Sequence, residues 1–346
     1  MSTEMEENNN RWRRILMSGG ALLGAAAAYN AFARKGVDQL TNLIGGEEGG
    51  FDWRGRRISF TRRGSGPPIL LIHGIHAAAW SYEWHDNVDY LARSNTVYTI
   101  DLLGFGRSDR PAIRYSGRLY ISLISDFVDQ VIGDPCVLIA TSLSGAYAIV
   151  LAARDPQRFP AVCLIAPTGL VRLNRPAGVS GEAGQLAVQA PIVGTAMFNG
   201  LVSRRSIRYY LKKTYVDDSI VTDDLIDIYY WTSHQRGARY APSAFISGHL
   251  NIDVRQALRR LSQPALLLWG EEGIAAPAEE SRAFRALKPD LEMALLSPAG
   301  DLPHDERPDD FNVIVSSWLN RLSLSSGPTP GTLPGTPEAS PLTLPR

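Results

Sequence analysis

Ser142 sits in the run Val137-Leu138-Ile139-Ala140-Thr141-Ser142-Leu143-Ser144-Gly145, where an apolar strand pattern gives way to a helical one. A serine at that junction, with small residues two places to either side, has the form of a nucleophile elbow. The flanks must be small because the turn is tight and strand and helix approach closely. Glycines usually fill the two places; here Ala140 and Ser144 do. An ordinary strand-to-helix turn with a capping serine has the same local pattern. A serine hydroxyl is a poor nucleophile until a neighbouring base takes its proton. The chemistry open to Ser142 therefore depends on the groups the fold brings to it.

Two further loops fit such a site. His73-Gly74-Ile75 follows the apolar run Ile69–Ile72, where a backbone N–H for an oxyanion hole is expected. Ile75 and Leu143 are the expected pair of donors. Asp101-Leu102-Leu103-Gly104-Phe105-Gly106-Arg107-Ser108-Asp109 follows the run Val97–Ile100, and its glycines suit a tight loop beside the site. His76, Trp80 and Phe105 are expected to face the ligand.

The elements that must position these loops alternate. Ile69–Ile72, Val97–Ile100, Val137–Ala140, Val162–Ala166, Ala265–Trp269 and Met293–Leu296 are continuous apolar runs, as expected of parallel strands covered on both faces. Ser81–Arg93, Arg118–Ile132, Leu143–Arg154, Pro277–Leu287 and Pro308–Leu322 read as intervening helices. The fold class is α/β, a doubly wound and mostly parallel sheet, with ligands gathered at the carboxyl ends of the strands. From Val171 to about Gln263 no strand pattern occurs, and the helical stretches there read as an insertion covering the top edge of the sheet. Its basic residues Arg204, Arg205, Arg208, Lys212 and Lys213 are followed by Asp217, Asp218, Asp223 and Asp224, the pattern of a solvated helix face.

Lys+Arg and Asp+Glu both number 35 in the 346 residues, so no basic excess exists to displace phosphate counterions, and nucleic acid is not an expected partner. Cys136 and Cys163 each lie in apolar runs and read as small buried hydrophobes rather than a disulfide. No Cys/His cluster has zinc-ligand spacing, and no metal or cofactor is expected.

The ends differ from the middle. Residues 1–10 are acidic and Asn-rich and read as disordered. Residues 11–35 hold Arg11-Trp12-Arg13-Arg14, a Gly/Ala-rich apolar stretch over 15–33, then Arg34 and Lys35. A membrane anchor, a twin-arginine export signal ending at Ala31-Phe32-Ala33, and a helix packed on the protein's own surface are all compatible with it. The chain is accordingly expected to be membrane-associated or exported in the first two cases, and cytoplasmic in the third. The tail 323–346 is rich in Pro, Gly, Ser and Thr and cannot bury enough surface to offset chain entropy.

Taken together, His73-Gly74, the Asp101–Asp109 loop, the Ser142 elbow, the helical insertion, Leu268-Trp269-Gly270-Glu271 and Pro303-His304-Asp305-Glu306-Arg307-Pro308 resemble the α/β-hydrolase superfamily. The closest likeness is to the branch of epoxide hydrolases, haloperoxidase-like esterases and carbon–carbon bond hydrolases. The resemblance implies an α/β-hydrolase core over 51–170 and 264–322, a helical lid over 171–263, and a small apolar or ester-like ligand. It also exposes two departures. The family's acid position is Gly273 here, and the residue after Gly300, where the catalytic histidine belongs, is Asp301. An imidazole suits the task because its pKa of about 6.5 lies near working pH, whereas a carboxylate starts near about 3.9. Without an acid, nothing orients the base.

Alternatives stay open for the base. His304 could turn in with Glu272 as partner, His76 lies just beyond the oxyanion loop, Asp301 could act in a dry pocket, and His234 and His249 lie in the lid. Three functions follow: a hydrolase-fold protein impaired in ordinary serine chemistry that binds a carbonyl or ester ligand; an active ester or carbon–carbon bond hydrolase with a rewired triad; and a membrane-tethered interaction protein.

Overall fold

The structure is a computed structural model that describes residues 2–37, 39–175 and 178–325. It has eight strands: β1 (Glu47–Asp52), β2 (Arg57–Arg63), β3 (Pro68–Ile72), β4 (Thr96–Ile100), β5 (Val137–Thr141), β6 (Val162–Ile165), β7 (Ala265–Gly270) and β8 (Glu292–Leu296). They form one sheet in the order β1-β2-β4-β3-β5-β6-β7-β8. From β4 to β8 all pairings are parallel, while β1–β2 and β2–β4 are antiparallel. Each of the six parallel strands grows from an apolar run of the sequence. Alternate residues feed opposite faces: Leu70 and Ile72 join one core with Tyr120, Phe127 and Trp269, and Ile69 and Leu71 join the other with Trp84, Phe311 and Trp318.

The β1–β2 hairpin has no such signature. Its turn places Arg54 at φ 54° and Gly55 at φ 72°, both left-handed as a type I′ turn requires. β1 reads as polar, and Gly49 is needed there because a Cβ would stand 2.1 Å from the Phe60 ring packed over it.

Helices cover both faces: α1 (Ser2–Ala33), α2 (Val88–Leu91), α3 (Gly117–Phe127), α4 (Ser142–Arg154), α5 (Val179–Gln189), α6 (Val193–Leu201), α7 (Arg204–Thr214), α8 (Asp223–Ser233), α9 (Tyr240–Ile246), α10 (Arg255–Arg260), α11 (Ser281–Leu287), α12 (Pro303–Glu306) and α13 (Pro308–Ser325). The helix expected over Ser81–Arg93 is broken, into a 3-10 turn at Ser81–Trp84 and the short α2. Between β6 and β7 the described residues hold α5 to α10 and no strand.

α1 begins at Ser2, so residues 2–10 of the segment expected to be disordered are helical. The C-terminal end of α1 docks on the insertion: Asn30 Nδ2 donates to Ile192 O at 2.9 Å, Asn199 Nδ2 donates to Asn30 Oδ1 at 3.0 Å, and the Tyr230 hydroxyl donates to Ala33 O at 2.6 Å. No helix among the described residues is long and apolar enough to cross a membrane. Of the tail expected over 323–346, residues 323–325 continue α13 and the rest lies outside the described residues.

Candidate active site

Thr141 ends β5 in extended backbone (φ −99°, ψ 149°), and Ser142 turns the chain into α4 at φ 50°. A non-glycine residue held there is strained by roughly 1–3 kcal/mol and persists only where its surroundings fix it. The surroundings are visible. Gly145 lets α4 pass Pro167, which a Cβ would meet at 3.1 Å. Ser144 does more than fill a glycine's place, since its hydroxyl donates to His73 O at 2.6 Å and ties the elbow to the next loop. Gly74 comes so close that a Cβ on it would stand 3.8 Å from Ser142 Cβ and 3.2 Å from Thr141 Oγ1.

The expected oxyanion donors follow directly on the two segments so joined, Ile75 after Gly74 and Leu143 after Ser142. The Ile75 N–H has no protein acceptor among the described residues. Leu143 lies in the first turn of α4, where N–H groups have no intrahelical partner. His73 is structural: its Nδ1 donates to Gly74 O at 2.7 Å, its Nε2 accepts from Leu102 N at 3.0 Å, and burial lowers its pKa. Asp101 pins the neighbouring loop by accepting from Ser81 N and from the Arg107 side chain.

Thr141 and Ser144 are both bonded, but the Ser142 hydroxyl has no hydrogen-bond partner among the described residues. Asp301 and Gly273 do face one another: a Cβ on Gly273 would lie 3.1 Å from Asp301 Oδ1. The two positions singled out in the sequence are thus adjacent in space. The Asp301 carboxylate, however, turns into the loop after β7, accepting from Ala275 N at 3.1 Å and Ala276 N at 3.0 Å. Burial raises its pKa from the ordinary carboxylate value, and the N–H groups of Ala276, Ala275 and Ile274 pull it back. The Asp301 N–H in turn donates to Thr214 O at the end of α7, at 2.9 Å. Glu306 fastens the same segment, accepting from Val216 N, Asp217 N and Gly300 N.

The carboxylate nearest His304 is that of Glu83, not that of Glu272 as expected. His304 is fully buried under Trp84 (ring centroids 4.5 Å apart), with Nε2 3.2 Å from Glu83 Oε1. Glu272 is exposed and brackets Ser297 and Ala299 instead. Glu83 is the residue that sequence reading passed over. Its carboxylate accepts from Gly74 N at 3.0 Å and from the Thr141 hydroxyl at 2.6 Å, so it braces the residues on either side of the elbow. Burial opposes its charge, but His304, His76 and Thr141 outweigh that and hold its pKa at about 2. A lone acid inside the apolar stretch Trp80–Trp84 was the available signal.

His76 stacks on Tyr229 of α8 with centroids 5.8 Å apart. Burial lowers its pKa to about 4 against the pull of Glu83, so it is neutral at pH 7. Trp80 is buried with no partner for its Nε1. Phe105 packs edge-on to His73 within the main core. His249 is held on the insertion by Glu182 and Gln185, and His234 by Tyr230. His85, Asp86 and Asp305 bring ligand atoms within 4.8 Å of one another, apart from Ser142.

A sequence profile of the alpha/beta hydrolase family matches residues 69–313. The chain belongs to the alpha/beta hydrolase family. It is 25% identical over 281 residues to the 2-hydroxy-6-oxo-6-(2'-aminophenyl)hexa-2,4-dienoic acid hydrolase of Metapseudomonas resinovorans, covering 77% of this chain and 89% of that one. It is 26% identical over 271 residues to the pimeloyl-[acyl-carrier protein] methyl ester esterase of Aeromonas salmonicida, covering 76% and 99%. Among solved structures, a serine hydrolase involved in carbazole degradation superposes with a TM-score of 0.66 at 23% identity, covering 79% of this chain and 98% of that one. The sheet order and the elbow described above are those of an alpha/beta hydrolase fold in this chain as well.

Proposed function

We propose that this alpha/beta-hydrolase-fold protein binds a small carbonyl or ester ligand at the Ile75 and Leu143 N–H groups, beneath the helical insertion acting as a lid, and is impaired in ordinary serine-hydrolase chemistry. The observation that carries the reading is the Asp301 carboxylate, turned onto Ala275 and Ala276 N–H beside a side-chain-free Gly273. A carboxylate committed to backbone donors is a poor acceptor for a serine proton, and Gly273 supplies no acid to orient a base at that position. The oxyanion donors belong to the backbone and do not depend on the missing side chains. Turnover of a panel of short-chain nitrophenyl esters tests this. Wild type should match Ser142→Ala; ester turnover that Ser142→Ala abolishes would overturn it.

One observation favours a second reading, an ester or carbon–carbon bond hydrolase with a rewired relay. Ser142 keeps its strained φ of 50°, and His76, neutral at pH 7, sits at the end of the oxyanion loop. The named activities of the two relatives, one a dienoic acid hydrolase and one a methyl ester esterase, fit that class. On this reading His76→Asn abolishes turnover, and the rate of wild type falls only below about pH 4, where His76 gains its proton.

A further inference from the structure

A cavity of about 470 Å³ lies away from Ser142, where the end of α1, α6 and the loop after α8 meet the chain following the Asp101–Asp109 loop. Its lining includes Arg34, Arg110, Arg236, Arg239 and His234, and no carboxylate. None of these four arginines forms an ion pair among the described residues. Arg110 spends its guanidinium on the Gly106 and Ser108 carbonyls, with Asp101 and Asp109 acting on it at longer range. Arg239 lies over Tyr240, with its buried Nε unpartnered. Arg110 is answered from outside the lining, but no carboxylate of the lining itself offsets Arg34, Arg236 and Arg239, which favours an anion there.

His234 narrows the choice of anion. It is 3% exposed and stacked on Tyr230, and its Nδ1 lies 2.9 Å from Tyr230 O. A carbonyl only accepts, so Nδ1 carries the proton and Nε2 presents a lone pair. That buried Nε2 has no partner. The ligand must therefore offer oxyanions to the arginines and an O–H to His234. A carboxylate at neutral pH has no proton to give, whereas a phosphate monoester, with a second pKa of about 6, is partly protonated there. Arginine forks also match phosphate geometry.

We propose that this cavity binds a phosphate or phosphate-monoester group, with the arginines taking its oxyanions and His234 Nε2 accepting from its P–OH. The same chemistry is offered by a soluble monoester and by a phosphatidic-acid headgroup. Arg34 follows directly on α1, whose Leu22 and Phe32 are exposed, so both sources can reach it. The test uses the full chain with inorganic phosphate, glycerol 1-phosphate and acetate at matched ionic strength, by calorimetry and by the His234 ring resonances. A parallel flotation assay compares vesicles of phosphatidylcholine with and without phosphatidic acid. The variant is Arg236→Gln/Arg239→Gln, on a loop outside the sheet core. Binding of phosphate or glycerol 1-phosphate that shifts the His234 resonances and falls about tenfold or more in the variant supports a soluble ligand. Phosphatidic-acid-dependent flotation lost in the variant, without soluble binding, supports a membrane-borne one. No binding in either assay, binding undiminished in the variant, or acetate as tight as phosphate overturns the proposal.

Discussion

Replacing Glu83 with Gln keeps its size and removes its charge, and the consequence can be worked from the structure. The carboxylate is 5% exposed, holds Gly74 N and the Thr141 hydroxyl, and lies 3.2 Å from His304 Nε2. Its pKa drops from 4.5 to about 2. That difference corresponds to about 3 kcal/mol of added stability for the ionised form. Because the folded pKa is depressed, the contribution is fully present above about pH 5 and is lost as the pH falls toward 2. Denaturant titration of wild type should therefore show stability declining through that window. At pH 7 Glu83→Gln should lose about 2–4 kcal/mol, or roughly 3–6 °C in Tm for a chain of this size. Its acid branch should be flatter than that of wild type. A cycle with His304→Asn should show coupling, since both side chains form one buried pair. A loss under about 1 kcal/mol at pH 7, or an acid branch identical to that of wild type, would refute the assignment of Glu83 as the charged brace behind the elbow.

Other substitutions address the elbow and the base loop. Ser142→Gly should raise stability by about 1 kcal/mol because glycine accepts φ 50° without strain, and a fall in Tm would contradict the strain argument. Ser144→Ala should cost about 1 kcal/mol by denaturant titration, since His73 O loses its 2.6 Å donor; no loss would mean the tie carries nothing. Asp301→His with Gly273→Asp should gain esterase activity that Asp301→His alone lacks. It should also lower Tm, because a Cβ at 273 meets Ala276 O at 2.7 Å and Trp269 Nε1 holds that oxygen. Equal activity in the single and double variants would show that the acid position is not what is missing.

Much of the architecture was legible because β3 to β7 are buried on both faces and leave apolar runs. The β1–β2 hairpin was not, because Gly49 and Gly50 and flanking charges hide a strand whose pairing rests on Phe60 covering a glycine. The elbow was visible in Ala140-Thr141-Ser142-Leu143-Ser144 because tight turns restrict side-chain size. The juxtaposition of Gly273 and Asp301 followed from motif spacing. The direction of the Asp301 carboxylate did not, since it depends on N–H groups of a loop whose path no local pattern specifies. The partner of His304 was missed for a related reason: Glu83 lies more than two hundred residues away in sequence, and only the fold brings the two together.

The central claim is that nothing takes the proton from the serine at the tight turn after β5. Its most direct test is the rate of covalent modification by a fluorophosphonate probe at pH 7, read by intact mass, with Ser142→Ala as control. The account predicts no labelling above that control. Rapid, stoichiometric labelling confined to Ser142 would contradict it.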